Sequence, residues 1–444
     1  MPTNFTLMTN RGRVRLKEAK AQTRDRPIID ASVPDELIFS LSMHIGAPAK
    51  PLVDVGDTVK RGQQIAEAAS FVSAHIYSSV SGTVTAIEDR PSDKGMTASI
   101  VVRNDHQDLV AAPLPAPGLD AKPDQIIEAV RAAGIVGMGG AAFPTSVKLK
   151  PPPEMSIDTL VINGAECEPY SSSDHRVMLE FSDEIIEGIE ICSRLYPDLK
   201  NIFIAIENNK RDAIKRLKML TKNRPMIQVK AFSSLYPTGA EKTLITGLTK
   251  REIGPGALPA DVHTIVVNVS TVRAVRRAVV LGEPLMDRVV SITGSAVSQA
   301  QNLLARIGTP IESLIQDCGG LEGEVDKIIL GGPMMGRPMK HEATPLTKSI
   351  TSVIALSAKE TEQGSRTPCI MCSECLNVCP VNLQPILISE AYERGRIDDA
   401  KSLGAMDCIE CGNCSYICPS KIPLLDNIRK AKAAIRAAAE KEGS

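Results

Sequence analysis

The chain has few aromatic residues, no excess of charge and no long apolar run. It contains no tryptophan, aromatics make up 3% of its 444 residues, and its formal net charge is -1. Stacking platforms for bases are therefore scarce, and no global field favours nucleic acid or anionic lipid. No stretch reaches the ~18 apolar residues of a membrane helix, and the segment 1–15 lacks the apolar core of a signal peptide. We therefore expect a chain that stays in the cytoplasm and binds no nucleic acid.

The cysteines are clustered near one end of the sequence and repeat one spacing. Eight of eleven cysteines lie in the last eighty residues, in one spacing used twice, Cys-x-x-Cys-x-x-Cys-x-x-x-Cys-Pro. Disulfides are rare in a reducing compartment, and zinc sites more often have two cysteine pairs with a longer gap. The repeated Cys-Pro ending is instead typical of bacterial two-cluster ferredoxins, in which the fourth cysteine of each motif serves the other cluster.

This pattern predicts two crossed [4Fe-4S] clusters. The ligands predicted for cluster 1 are Cys369, Cys372, Cys375 and Cys418, and those for cluster 2 are Cys408, Cys411, Cys414 and Cys379.

Hydrophobic periodicity divides the rest of the chain. Short β-branched alternations separated by Gly-Asp and Ser-Gly turns predict a small β-sandwich, and later strands alternating with helices predict a layered α/β domain. The predicted order is an N-terminal extension (1–30), the sandwich (31–110), a proline-rich linker (111–123), an α/β domain (124–285), a small α+β module (286–345), a linker (346–365), the two-cluster domain (366–427) and a basic helix or tail (428–444) that we expect to be solvated.

A glycine-rich loop, 134–144, contains G-x-G-x-x-A but follows a predicted helix, whereas the dinucleotide fingerprint follows a strand. Adjacent glycines still let backbone N–H groups approach a phosphate or a flat ring. A tight turn without a ligand is the alternative.

Four segments, in order, resemble the NADH-binding flavoprotein subunit of respiratory complex I: residues 137–148, 163–169, 236–244 and 267–271. The resemblance implies a non-covalent FMN that reacts with NAD(H). It implies that Gly137, Gly139 and Gly140 line the FMN, that Lys148, Asn163 and Asn268 bond it, and that Phe143 stacks on adenine. It also implies that Glu166, Glu168 and Glu241 shape the nucleotide side and that Gly239 is a cofactor-binding residue. Ala165, Ala240 and Ala142 depart from the family pattern.

The order of the parts resembles the C subunits of Rnf complexes, membrane-bound ferredoxin:NAD oxidoreductases. This implies an N-terminal β barrel-sandwich hybrid of lipoyl-carrier type, an α/β FMN/NADH domain, a β-grasp-like (SLBB) module and an α-helical two-[4Fe-4S] ferredoxin-like domain. The sandwich has no acceptor lysine in the stretch 67–71.

The resemblance further implies a peripheral subunit at the cytoplasmic face of the membrane. Its partners would be integral membrane and iron–sulfur or flavin subunits, with ferredoxin reached indirectly and ions moved by the partner subunits.

Two alternatives stay open. One is the cobalamin reductase of propanediol-utilisation microcompartments, which carries its sandwich after the flavin segments. The other is an electron-transfer scaffold without catalysis, which the departures at Ala165 and Ala240 keep open.

Overall fold

The predicted β-sandwich is confirmed in a computed structural model that describes residues 12–361 and 364–442. Strand β1 (Ile28–Asp30) precedes the sandwich and joins a different sheet. A four-stranded sheet (β2-β8-β7-β4) and a three-stranded sheet (β3-β5-β6) share an apolar core that includes Phe39, Ile65 and Ile100. The sandwich strands are β2 (Glu36–Ser40), β3 (Lys50–Pro51), β4 (Thr58–Val59), β5 (Gln64–Glu67), β6 (Ile76–Tyr77), β7 (Gly82–Ser92) and β8 (Gly95–Asn104).

The α/β domain is built on a parallel sheet of order β11-β10-β9-β12. Its central strands are almost wholly buried, as parallel strands are when helices cover both faces. The strands are β9 (Thr159–Gly164), β10 (Asn201–Glu207), β11 (Ile227–Phe232) and β12 (Thr264–Asn268). The helices are α1 (Pro123–Ala132), α2 (Thr145–Leu149), α3 (Ser173–Glu180), α4 (Ser182–Ser193), α5 (Arg211–Leu220), α6 (Glu241–Thr249) and α7 (Val269–Leu281).

The α+β module is larger than the sequence predicted. Its six-stranded sheet, β1-β14-β13-β17-β15-β16, takes β1 from the N-terminal extension and β17 from the predicted linker 346–365. Five of the six residues of β17 are buried, because they fill the core between β13 and β15. The elements are β13 (Asp287–Thr293), β14 (Gln301–Arg306), α8 (Ile311–Asp317), β15 (Val325–Leu330), β16 (Arg337–Pro338) and β17 (Ser352–Ser357).

The cysteine region is helical, as predicted, and its last helix belongs to its core. Ile428, Ala431 and Ile435 of that helix pack with Ile388 and Ala391. The predicted boundary at 428 and the solvated tail are therefore wrong, because one face of the helix is apolar. The helices are α9 (Ala358–Thr361), α10 (Glu374–Asn377), α11 (Pro385–Glu393), α12 (Ile397–Ser402), α13 (Asn413–Ile417) and α14 (Leu424–Glu442), and short 3-10 turns occur at Lys20–Gln22, Pro259–Val262 and Ala405–Asp407.

The described part of the N-terminal extension is a strap across the domains. Gly12 N donates to Asn377 O of the cysteine region at 3.0 Å, and Val14 exchanges backbone bonds with Tyr236. Further along, β1 adds to the edge of the α+β sheet. The first eleven residues of the predicted extension lie outside the described residues.

Gly188 allows α4 and α7 to pack closely, which gives a stability prediction. A Cβ at Gly188 would lie 2.4 Å from the Val272 carbonyl oxygen. Gly188→Ala should therefore lower the free energy of unfolding by about 1–3 kcal/mol, as overpacking does, and so lower the melting temperature.

Gly254→Ala is the control, because a Cβ there meets no atom within 4 Å. Equal melting temperatures for the two variants would contradict the close contact.

Candidate functional site

The carboxyl ends of β9 and β12 form the floor of a cleft of about 470 Å³. Such an edge is where open α/β sheets bind ligands. Asn163 and Asn268 are register partners there. Asn268 caps α7, since its side-chain oxygen accepts from Ser270 N at 2.9 Å, and Asn163 Nδ2 donates to Gly239 O at 2.9 Å. Both predicted asparagines therefore lie together in the cleft.

The glycine loop forms one wall of the cleft and runs from α1 into α2, so it follows a helix as predicted. Gly137 N donates to Phe143 O at 2.8 Å, which closes the loop. Met138 is held from both sides: its N–H donates to Thr271 Oγ1 at 2.8 Å, and its carbonyl accepts from Arg288 Nη2 at 3.0 Å. Gly137, Gly139 and Phe143 line the cleft, whereas Gly140 is exposed just outside its lining.

Acidic residues and their lysine partners also line the cleft or lie directly behind its lining. Lys148 Nζ lies 2.5 Å from Glu241 Oε1. The Glu166 carboxylate is buried, accepts from Ser171 Oγ at 2.7 Å, and lies 3.8 Å from Lys20 Nζ of the strap. Burial by itself would raise the pKa of Glu166, but the charges of Lys20 and then Lys210 bring that pKa below its usual value. Glu166 is therefore a buried anion.

Glu168 has backbone partners in the α+β module. Its carboxylate also lines the cleft, but it accepts from Met334 N at 3.1 Å and Met335 N at 3.0 Å. A Cβ at Gly332 would lie 2.0 Å from Glu168 Cδ, so glycine is needed for this approach. Glu168 thus ties the loop after β15 to the cleft.

Three buried polar atoms of residues that line the cleft have no hydrogen-bond partner among the described residues: Thr145 Oγ1, Tyr236 Oη and Glu166 Oε2, the last of which has only the ion pair with Lys20. A buried polar atom without a partner costs free energy unless a ligand supplies the bond. One carboxylate acceptor and two hydroxyls, beside exposed glycine backbone, fit a flat ligand with polar edges. The residues present therefore fit FMN.

The cysteines fall into two groups that mix the motifs. Burial, and then the charges of Cys418 and Cys369, raise the pKa of Cys375. Burial, and then Cys408 and Cys379, raise the pKa of Cys411 to about 12. Cys379 of the first motif lines one small cavity with Cys408, Cys411 and Cys414, and Cys375 packs in one apolar cluster with Cys418 of the second motif, which is the arrangement that crossed ligation requires.

Within residues 12–361 and 364–442, no three His, Cys, Asp or Glu side chains converge closely enough to hold a single metal ion. Four thiolates that each bind a different iron of a cubane would be spread in this way.

The second motif lies at the cleft and the first lies at the surface. Ile409 and Cys411 line the same cleft as the glycine loop, and Cys379, Cys411 and Cys414 are buried. Cys369 and Cys372 are exposed.

Sequence reasoning missed three residues of this site. Lys20 lies in the predicted N-terminal extension. A lysine within a charged run gives no sign in the sequence that it is buried. Arg288 is the second residue of β13 in the α+β module, and its side chain donates to the glycine loop of the neighbouring domain. Tyr236 lay in a recognised segment without a role, yet it is buried in one apolar cluster with Cys411.

Comparison with known families supports this division of the chain. The chain matches the RnfC barrel sandwich hybrid domain over residues 8–107 and the Nuo51 FMN-binding domain over residues 130–277. It also matches the SLBB domain over residues 289–338 and the 4Fe-4S dicluster domain over residues 368–422.

Curated relatives cover nearly the whole chain. The C subunit of the proton-translocating ferredoxin:NAD(+) oxidoreductase complex of Clostridium ljungdahlii is 40% identical over 98% of this chain and 96% of that protein. The C subunit of the Na(+)-translocating complex of Acetobacterium woodii is 40% identical, with 96% and 97% covered. The C subunit of the ion-translocating oxidoreductase complex of Rhodobacter capsulatus is 39% identical, with 95% and 82% covered.

The buried position of Glu168 predicts that the free energy of unfolding depends on pH. Burial raises the pKa of Glu168 to about 7 from an ordinary 4.5, so between these pH values the folded chain keeps a proton that the unfolded chain loses. The free energy of unfolding should therefore fall by about 2–3 kcal/mol as pH rises from about 4.5 to about 7.

Glu168→Gln should abolish this fall in stability between about pH 4.5 and 7, measured as the slope of melting temperature against pH. The exposed Glu154→Gln should keep it. A slope that Glu168→Gln leaves unchanged would place the titration elsewhere.

Proposed function

Because the chain belongs to the family of C subunits of Rnf-type, ion-translocating ferredoxin:NAD(+) oxidoreductase complexes, we propose that it is the subunit that exchanges electrons between NAD(H) and the ferredoxin-side subunits of such a complex. The observation that carries this proposal is the shared cleft. A ligand of the second cysteine motif, Cys411, lines the same cavity as the glycine loop and the two asparagines. A flavin bound in this cavity would lie beside an iron–sulfur cluster held by the second motif.

The cleft residues divide into those that bind FMN and those that bind the nucleotide. We assign FMN to Gly137, Gly139, Gly140, Lys148, Asn163 and Asn268, which surround the carboxyl ends of the strands. Phe143, Gly239, Glu241 and Glu166 are assigned to the side where NAD(H) approaches. Glu168 is reassigned, because its two acceptor bonds to the 334–335 backbone support a positioning role.

Bound FMN supplies the exchange between hydride transfer, which moves two electrons, and single-electron transfer to the clusters. The chain's own residues set the conditions for it. Lys20 and Lys210 keep Glu166 ionised inside the wall, while Thr271 and Arg288 hold the glycine loop in place. Tyr236 and Ile409 exclude water between the cleft and the second motif.

The positions of the cysteines give the clusters an order. Cluster 2 would lie next to the flavin, because Cys411 lines the cleft. Cluster 1 would lie at the surface, because Cys369 and Cys372 are exposed. Electrons would then pass between NAD(H), FMN, cluster 2, cluster 1 and a partner, in either direction.

The relatives' names describe subunits of membrane complexes that move ions. We place the chain peripherally at the cytoplasmic face of the membrane, bound to integral subunits that carry the ions. Among residues 12–361 and 364–442, no helix is both long and apolar enough to cross a bilayer. The sandwich also precedes the flavin domain, which favours this assignment over a cobalamin reductase.

Anaerobic NADH–ferricyanide activity of the FMN-loaded chain tests the enzyme assignment. Wild type should oxidise NADH, and Glu241→Gln should lower kcat/KM by about tenfold or more through loss of one charged hydrogen bond. The exposed Glu154→Gln should match wild type. A preparation that binds no FMN, or that binds it without oxidising NADH, would leave the non-catalytic scaffold as the better description.

Crossed ligation predicts opposite defects for two serine variants. Cys379→Ser should lose the cluster beside the flavin, so NADH no longer reduces cluster 1 although ferricyanide reduction at the flavin continues. Cys418→Ser should lose the surface cluster and leave flavin-to-cluster 2 transfer intact. Iron content and low-temperature EPR of NADH-reduced samples measure both. The reverse assignment of the two defects would refute the crossing.

A further inference from the structure

The two cysteine motifs fold alike, so each position in one has a counterpart in the other. Met371 and Glu410 occupy the same place and share a left-handed φ of 57°. Met371 N donates to Cys369 Sγ at 3.4 Å, and Glu410 N donates to Cys408 Sγ at the same distance. The tips Ile370–Met371 and Ile409–Glu410 are therefore equivalent surfaces of one repeated unit.

The tip of the second motif is covered by the rest of the chain. Ile409 faces the flavin cleft. Glu410 accepts from Arg429 Nε at 3.0 Å and from Lys432 Nζ at 2.6 Å, both on α14. The loop after β15 also packs here, since a Cβ at Gly412 would lie 2.7 Å from the Met334 carbonyl oxygen. Through this tip, the second motif lies against the cleft that is proposed to hold FMN.

The tip of the first motif has no such cover from any described residue. The side chains of Ile370 and Met371 are 66% and 88% exposed, and residues 364–374 are all exposed. The segment is nevertheless well anchored, because Thr367 N donates to Ser420 O at 3.0 Å and Ser420 Oγ donates to Pro368 O at 2.9 Å. The first tip is therefore an anchored, solvent-exposed apolar surface next to two exposed cysteines, Cys369 and Cys372.

The charge of this tip distinguishes it further. No charged residue occurs from Thr367 to Ser373, whereas the equivalent stretch of the second motif contains Asp407 and Glu410. An uncharged apolar centre is typical of the buried middle of a protein–protein interface. A membrane surface would favour clustered lysines and arginines instead.

We propose that the tip of the first motif, residues 367–373, is the docking surface for a second electron-transfer protein, which covers Ile370 and Met371 with an apolar patch next to its own redox cofactor. This rests on the proposed function and specifies where the partner binds. The second tip provides the precedent: in the same chain, the equivalent surface is partly buried, with Ile409 at the cleft that would hold the flavin and Glu410 bonded to α14. Docking here would bring the partner's cofactor close to cluster 1 with little protein between them.

Methionine oxidation measures whether this surface is covered in the assembled complex. Brief peroxide treatment of the isolated chain should oxidise Met371, Met96 and Met219, whose exposed fractions are 88%, 57% and 59%. In the whole complex, Met371 should oxidise about tenfold more slowly, because a buried thioether is shielded from oxidant. Met371 oxidising equally fast in both samples would overturn the proposal. So would protection in a dimer of the isolated chain, which would make a second copy the occupant.

A substitution that copies the second motif tests the electron-transfer role. Met371→Glu places an unpaired charge in the interface and should weaken partner binding by about 10- to 100-fold. NADH-dependent reduction of the partner should slow in step, while iron content, EPR of cluster 1 and NADH–ferricyanide activity stay at wild-type values. Met219→Glu, which adds a charge at another exposed methionine, is the control.

Partner reduction at the wild-type rate in Met371→Glu would refute docking at the tip. A wild-type chain that lacks NADH oxidation would refute the proposed function instead, and the oxidation pattern of Met371 would still decide whether the tip is covered.

Discussion

The contact between the second cysteine motif and the flavin cleft is the constraint on which the arrangement of the domains depends. Transfer of single electrons between a flavin and a cluster needs the two groups to lie close, so the cysteine domain must be fixed against the α/β domain. Glu168 holds the loop after β15 by two backbone N–H groups, and that loop packs on Gly412 and accepts from Arg429. The strap adds Gly12 and Val14 on the other side. The α/β domain, the α+β module, the cysteine region and the strap therefore contribute to one interface.

Buried charges around the cleft are compensated within the chain. Lys20 and Lys210 offset Glu166, and Lys210 also bonds Glu207 at 2.7 Å. Asp174 is buried beside them, and burial followed by the charge of Glu166 raises its pKa to about 6. Removal of one partner from such a group leaves an uncompensated charge, which costs several kcal/mol. The network explains why a lysine from a distant N-terminal segment is part of the site.

Much of the architecture could be predicted from local patterns. The periodicity predicts helices at 124–133 and 182–195 and strands at 159–163 and 265–268, and α1, α4, β9 and β12 begin and end within about two residues of these bounds. Strand β17 was missed because a six-residue apolar strand between loops resembles an apolar linker until its neighbours are known. The buried face of α14 was missed because its basic residues dominate the composition. Lys20 and Arg288 could not be found, because their partners lie 146 and 150 residues away.

The sequence by itself determined the chemistry: the doubled cysteine spacing predicts two clusters, and the four segments that resemble a complex I flavoprotein subunit imply a flavin beside a nucleotide. These signals are local, since a cluster loop or a phosphate loop is formed by neighbours in the chain. Only the tertiary structure decided how the groups are ordered. It set the Ile409–Glu410 tip of the second motif at the cleft and left the equivalent Ile370–Met371 tip of the first motif exposed, although the two tips share a backbone geometry. Long-range packing, which spacing does not encode, sets that difference.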